Sequence, residues 1–293
     1  MTPLERAPEA LAGGREVWLK REDKHELGMF KWRAALPVVR SLGADAVVTS
    51  STGNHGAAVA WACREAGARA IVFVPPGASP PKLALLERFG ADVLVAGRDL
   101  DEAKDAARAH AAAEGLPFFE DGAEPLQYDA YGAIATEILE QCPSRPAAVV
   151  TPIGNGAIAG GVGAALGDGI LRVGVVAKEM PVMAASWEAR EPVEVPSGRT
   201  IADGLAVRVA IPVAVERLQN AVDRMVRVSE RALAEALVAC HDAGIEVEPS
   251  AAAAVAALPR VPEGDPVVLV LTGRNVDPAV LERARRDPGS FPD

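Results

Sequence analysis

A chain of 293 residues, 49% hydrophobic and 24% charged, is long enough for two lobes or one large α/β domain and apolar enough to bury a core, which excludes intrinsic disorder. The 30 Lys and Arg against 40 Asp and Glu give a formal net charge of −10, and no basic run of several residues occurs, so a nucleic-acid partner is excluded in favour of a small molecule. Cys63, Cys142 and Cys240 are widely spaced and fall in helical patterns, which gives neither a disulfide framework nor a metal-ligand cluster; buried, reduced thiols are expected. The opening "MTPLERAPEALAGGREVW" has no basic-then-apolar leader, so the expected location is the cytoplasm. Residues 147–170 are apolar over nearly the length of a membrane span, but Pro152, Asn155 and many glycines break them into strand, loop and helix, so no membrane partner is expected.

In chain order, hydrophobic periodicity predicts a strand over 16–21 (EVWLKR), a polar turn through EDKHELG and a helix from Phe30 to Leu42 disturbed at Pro37. From Ala44 the pattern alternates, with strands near 46–50, 70–74, 92–96 and 117–119 and helices near 56–66, 80–89 and 99–114. Short valine-rich runs between such helices indicate βαβ units with parallel pairing, hence a small doubly wound lobe. The pattern restarts with strand 147–152, a glycine loop, helix 157–166, strand 171–176 and a looser proline-containing stretch over 180–212. A helix near 212–222, strand 224–228, helices 230–243 and 250–258 and strand 267–272 follow. Ser229 is placed to cap its helix and Gly244 to end it. No fixed-period repeat, low-complexity tract or Ser/Gly linker occurs, so the expected fold is α/β, two doubly wound lobes with parallel sheets packed together and a ligand site in the cleft between them.

Four places carry candidate chemistry. In "SSTGNHGAAVA" the Gly-Asn-His-Gly break reads either as a plain strand-to-helix turn or as amides and hydroxyls gathered for an anion at a helix N-terminus. Of six lysines, Lys20, Lys24 and Lys104 sit among charges and read as solvated surface, as does Lys82 at a helix start; Lys178 lies just past a strand end. Lys31 differs, because "GMFKWRAA" encloses it between Phe30 and Trp32 at a helix start, where an amine is placed to attack an aldehyde, though a snorkelling lysine fits the same pattern. "GNGAIAGG" (154–161) follows an apolar strand and opens a helix, a cup for a phosphate without the spacing of a dinucleotide loop or the lysine of an ATP loop. In "VVLVLTGRNVD" Thr272 stands at a strand's carboxyl end, the edge where α/β sheets collect ligands.

Taken together, "LKREDKHELGMFKWRAA", "SSTGNHGAAVA", "TPIGNGAIAGG" and "LTGRNVD", in this order, resemble the signatures of the fold-type II pyridoxal-phosphate enzymes, the group of threonine and serine dehydratases, serine racemase, threonine synthase and the tryptophan synthase β chain. "TIADG" (200–204), "EPSAAAAVAAL" (248–258) and the dehydratase-like "PVMAASWEAREP" extend the likeness over nearly the whole chain. The resemblance implies pyridoxal 5'-phosphate in the cleft between a large domain (1–42 plus 121–293) and a small one (43–120) that carries the substrate-carboxylate loop. Lys31 matches the Schiff-base lysine and Phe30 the residue beside it. Asn54 matches the amide on the pyridine 3-oxygen, while Ser51, Thr52, Asn54 and His55 match the loop that takes the substrate carboxylate. Gly154, Asn155, Gly156 and Ala157 match the phosphate loop, Gly204 lines the ring, and Thr272 matches the hydroxyl facing the pyridine nitrogen. Lys31 and Thr52 are the catalytic candidates.

A hydroxyl at the pyridine nitrogen weakens the ring as an electron sink, which favours elimination over transamination. The resemblance therefore implies an ammonia-lyase acting on a β-hydroxy amino acid such as threonine or serine, in a homodimer. The alternative is a threonine synthase-like β/γ-replacement enzyme, towards which "SSTGN" and "EPSAAA" lean; a ligand-binding sensor on the same scaffold is a third reading. Departures from the pattern are Met29 where a serine precedes Phe-Lys, and Thr52 where dehydratases carry serine or alanine. Val176 and Val182 fall where serine racemase holds a divalent cation with carboxylates, so no metal is expected there. The sequence ends soon after "NVD", which predicts no regulatory domain.

Overall fold

The computed structural model describes residues 1–78, 80–196 and 198–293, and the backbone alone of Pro81. It forms two compact units, Met1–Phe30 with Tyr131–Asp293, and Lys31–Ala130. The division lies at 30/31 and 130/131 rather than at 42/43 and 120/121 because the helix Trp32–Leu42 packs on the helix Asn54–Ala66 and so belongs with the smaller unit.

The strands in chain order are β1 (Leu4–Arg6), β2 (Val17–Arg21), β3 (Ala46–Ser50), β4 (Arg69–Val74), β5 (Ala91–Val95), β6 (Ala148–Pro152), β7 (Leu171–Ala177), β8 (Arg224–Val228) and β9 (Val267–Leu271). In the larger unit they form one sheet of order β1-β2-β9-β6-β7-β8, parallel throughout except for β1. β6 and β9 are buried along their whole length, which explains their unbroken apolar runs: a parallel sheet covered on both faces needs no polar alternation. The alanine-rich helix Pro249–Ala257 is buried on every side and packs on β6, β7, β8 and β9. Across the helix Ala157–Leu166, a Cβ at Gly163 would overlap the carbonyl oxygen of Ala221, so glycine sets how closely it meets the helix Pro212–Ala221.

The smaller unit holds a parallel sheet of order β3-β4-β5. Ala46, Val48, Ile71 and Phe73 cluster with Ala107 and Ala111 of the helix Leu100–Glu114. The alternate residue Val72 meets the helix Asn54–Ala66 at Gly56, so strand periodicity places helices on both faces. A Cβ at Gly56 would come within 2.8 Å of both Leu86 Cδ2 and the Ser51 carbonyl oxygen.

Several expectations differ from the structure. The predicted strand at 117–119 is a single bridge between Phe118 and Val48, because Val48 N–H and C=O are both taken by this segment and no further pairing follows. The helix Pro125–Gln141 shows no clear apolar period, since its buried face holds Gln127 and Glu137 beside Tyr128, Tyr131, Ile134 and Ile138 while its exposed face carries Leu126 and Leu139. Lys20 is a correction: its side chain is fully buried, donating from Nζ to Glu137 Oε2 at 2.5 Å and to the Thr2 carbonyl at 2.7 Å. Its place in β2 between Leu19 and Arg21 hides the pairing with a helix 117 residues on. Cys63 and Cys240 are buried thiols, which burial pushes up to about 12, whereas Cys142 lies just past its helix and is only partly buried. The cap at Ser229 holds: its hydroxyl accepts from the Ala232 amide.

Candidate active site

In the smaller unit the break in "SSTGNHGAA" sits where β3 ends and the helix Asn54–Ala66 begins. The Ser51 hydroxyl accepts from the Gly53 amide at 3.2 Å, shaping the turn, and the first amides of the helix have no intrahelical acceptor. Ser51, Thr52, Gly53 and Asn54 are partly accessible while His55 is buried. The His55 ring points inward, with Nε2 3.1 Å from the Thr49 hydroxyl and 3.3 Å from the Phe119 carbonyl. Burial pushes its pKa below the ordinary value, Lys31 and Lys104 add to that shift, and Asp121 opposes it.

Lys31 caps the helix Trp32–Leu42, and its Nζ donates to Asp121 Oδ2 at 2.6 Å, with the lysine side chain 16% exposed. Burial alone would raise the Asp121 carboxyl, but Lys31 and His55 nearby and hydrogen bonds from Lys31 and Gln127 hold it well below the ordinary carboxylate range. The sequence reading missed Asp121, since nothing in "FFEDGAEP" marks one carboxylate among its neighbours and 90 residues separate it from Lys31.

In the larger unit β6 and β9 are parallel neighbours, so the loop 154–157 and Thr272 leave adjacent strands at their carboxyl ends. Gly156 has φ 97°, and Asn155 Oδ1 accepts from the Ala157 amide at 3.1 Å, which turns the loop into the helix N-terminus. A Cβ at Gly154 would overlap the Gly204 carbonyl oxygen, and one at Gly204 would come within 2.7 Å of Ser250 Oγ, which accepts from the Gly204 amide at 3.0 Å. The glycines thus let the loop 154–157, the backbone at 204 and Ser250 approach more closely than any side chain would allow. Thr272 is buried; its carbonyl accepts from the Phe30 amide at 3.0 Å, which fixes Met29 and Phe30 beside the strand end, and the Phe30 ring lies 5.0 Å from that of Tyr131. Glu248, buried beside Gly273 and Gly204, was passed over in the sequence although "EPS" contains it.

Each unit by itself holds groups of the kind pyridoxal phosphate would need: the smaller an amine, Lys31, and an amide, Asn54, and the larger a glycine loop at a helix N-terminus, 154–157, and a buried hydroxyl, Thr272. The family model described as "Pyridoxal-phosphate dependent enzyme" matches residues 1–273. The chain belongs to this family. It is 31% identical over 92% of its length, and 70% of the other's, to an L-threonine ammonia-lyase of Thermotoga maritima. Among solved structures it is similar to the processed form of threonine deaminase isoform 2 from Solanum lycopersicum (TM-score 0.90, 27% identity, 97% of this chain and 87% of that one). Maize serine racemase shares the fold (TM-score 0.89, 24% identity, 99% and 92%). The chain is a fold-type II enzyme that uses pyridoxal phosphate.

Val176 and Val182 lie with Met183 in one apolar cluster of the larger unit, without the oxygen ligands of a hard cation. Among the described residues no group of three or more His, Cys, Asp or Glu could hold a metal ion, and no helix is long and apolar enough to cross a membrane. Lys178, the other lysine at a strand end, donates to the Asp293 carbonyl at 2.9 Å on the exposed surface.

Proposed function

We propose that this enzyme removes ammonia from a β-hydroxy amino acid such as L-threonine or L-serine by β-elimination, giving a 2-oxo acid. The observation that carries the reading is the enclosed Lys31 amine, together with the buried Thr272 hydroxyl where a carboxylate would favour other chemistry. When bound through its aldehyde, pyridoxal phosphate acidifies the substrate's α C–H by withdrawing its electron pair. Ser51, Thr52, the Asn54 side chain and the His55 amide bind the substrate carboxylate, so the loop fixes the α-carbon relative to Lys31. The amides of Gly154–Ala157 hold the phosphate, Gly204 leaves room for the ring, and Phe30 stands beside the lysine. Lys31 Nζ takes the α-proton; the pair left behind forms the Cα–Cβ double bond as the β-hydroxyl leaves with a proton as water. The released enamine hydrolyses in solution to the 2-oxo acid and ammonia.

The second reading, nucleophile addition as in threonine synthase, is favoured by "SSTGN" and "EPSAAA". A panel of amino acids assayed for ammonia and 2-oxo acid, with and without thiol or phosphate donors, separates them. Equal yields of the two products from threonine or serine alone support elimination; turnover that requires the added nucleophile contradicts it. We also infer a cytoplasmic homodimer, on the family resemblance alone; sedimentation at twice the monomer mass of 30.4 kDa is the expected result.

A further inference from the structure

The reaction set out above leaves the carboxylate paired with Lys31 without a task. Asp121 is built for that pairing from the far side. Its Oδ1 accepts from Gln127 Nε2 at 3.2 Å and lies 3.6 Å from His55 Nδ1, while Oδ2 faces Lys31. Gln127 is buried, and its own Oε1 accepts from the Gly122 amide at 2.7 Å; the Gly122 carbonyl in turn accepts from the Tyr128 hydroxyl at 2.8 Å. A surface ion pair has no such second layer, and its two long side chains wander. Here one oxygen is clamped so that the other is aimed at a single amine. The titratable groups around it are the Lys31 amine and the His55 imidazole, which burial favours in its neutral form, with Lys104 acting on His55 and itself paired with Glu120.

We propose that Asp121 is a positioning residue for Lys31: it holds the amine in place, and its carboxylate stabilises the ammonium that Lys31 becomes on taking the proton from the substrate's α-carbon. In that step the Cα–H bond breaks, the Nζ–H bond forms, and Asp121 stays an anion throughout. The balance of charge between Asp121 and Lys31 is then unaltered once the proton leaves with the β-hydroxyl. This inference rests on Lys31 being the Schiff-base lysine.

The test compares holoenzyme variants Asp121→Asn, which keeps the shape and loses the charge, and Asp121→Glu, which keeps the charge. Turnover is measured against pH, and the bound cofactor's absorption is titrated over the same range. Asp121→Asn is expected to lower kcat about 10- to 100-fold with KM little changed. The acid limb of the profile and the absorption titration should both move to lower pH by about one unit or more, since an opposite charge has been removed. Asp121→Glu is expected to retain most of the activity. In an Asp121→Ala holoenzyme, added formate is expected to restore turnover, which a purely structural role would not allow. The proposal is overturned by a wild-type pH profile and titration in Asp121→Asn, by equal losses in the Asn and Glu variants, or by no formate rescue. If borohydride fixes the wild-type cofactor to a lysine other than Lys31, the underlying reading fails instead, so the two failures are distinct.

Discussion

Two lysines in this chain are enclosed, and their surroundings give them opposite tasks. Lys20 has no exposed surface and is held by Glu137 and the Thr2 carbonyl, a structural role. Lys31 keeps access to solvent and pairs with Asp121, on a side chain that is 16% exposed. Lys31→Ala should therefore abolish turnover, by ~10³-fold or more, with an unchanged circular dichroism spectrum; near-normal activity would remove the lysine from the reaction. Thr272→Asp places a carboxylate at a buried strand end and should protonate the ring nitrogen, adding a long-wavelength absorption band and side products. A spectrum and kinetics like those of the wild type would mean that the hydroxyl does not face the ring. His55 and Asp121 both have pKa values lowered in the folded protein. For either group the unfolded chain binds the proton more readily, so stability is fullest above about pH 6.5 and falls on acidification, first as unfolded His55 titrates and then below about pH 4 for Asp121. Urea midpoints at pH 7 and pH 5 check the sign; a higher midpoint at pH 5 contradicts it. At this scale the sequence showed the groups that lie in short motifs, Lys31, Asn54, Gly154 and Thr272. It could not show Asp121, whose meaning comes from a partner 90 residues away.

At the scale of elements, the candidate site depends on close approaches at strand ends. Gly56→Ala would drive a methyl to 2.8 Å from a main-chain oxygen, and the turn carrying Ser51 would have to shift. The expected cost is about 1–3 kcal/mol of stability, with a larger rise in KM than fall in kcat if that turn binds the substrate carboxylate. A Gly56→Ala enzyme with wild-type KM and melting temperature would show that the turn has slack. Helix starts and strand ends were legible because they carry glycine, serine and proline at positions with backbone reasons. The helices Pro125–Gln141 and Val182–Ala189 were not, the first because polar Gln127 and Glu137 lie on its buried face and Leu126 and Leu139 on its exposed one, and the second because prolines flank it. Glu137→Ala, within the former, strands the Lys20 ammonium and should destabilise by about 3–5 kcal/mol, whereas replacing the pair with apolar residues should cost far less. Denaturant unfolding of the single and double variants decides this.

For the whole molecule, alternating strands and helices gave the parallel sheets directly, since buried parallel strands read as unbroken valine runs. The unit boundaries were less legible: the helix Trp32–Leu42 follows the "GMFK" motif in sequence but packs with the helix Asn54–Ala66. Packing of Val176, Val182 and Met183 into one apolar cluster leads to a further expectation, that exhaustive chelation leaves turnover unchanged at fixed monovalent salt. A several-fold loss restored by Mg²⁺ or Ca²⁺ would require ligands elsewhere in the chain. The central claim, that Lys31 carries the cofactor, is tested most directly by borohydride reduction of the holoenzyme followed by peptide mass mapping. The account predicts the reduced cofactor on Lys31, in the peptide containing "GMFK", with loss of activity in step with labelling. Label on Lys82 or Lys178, or full activity after reduction, would contradict it.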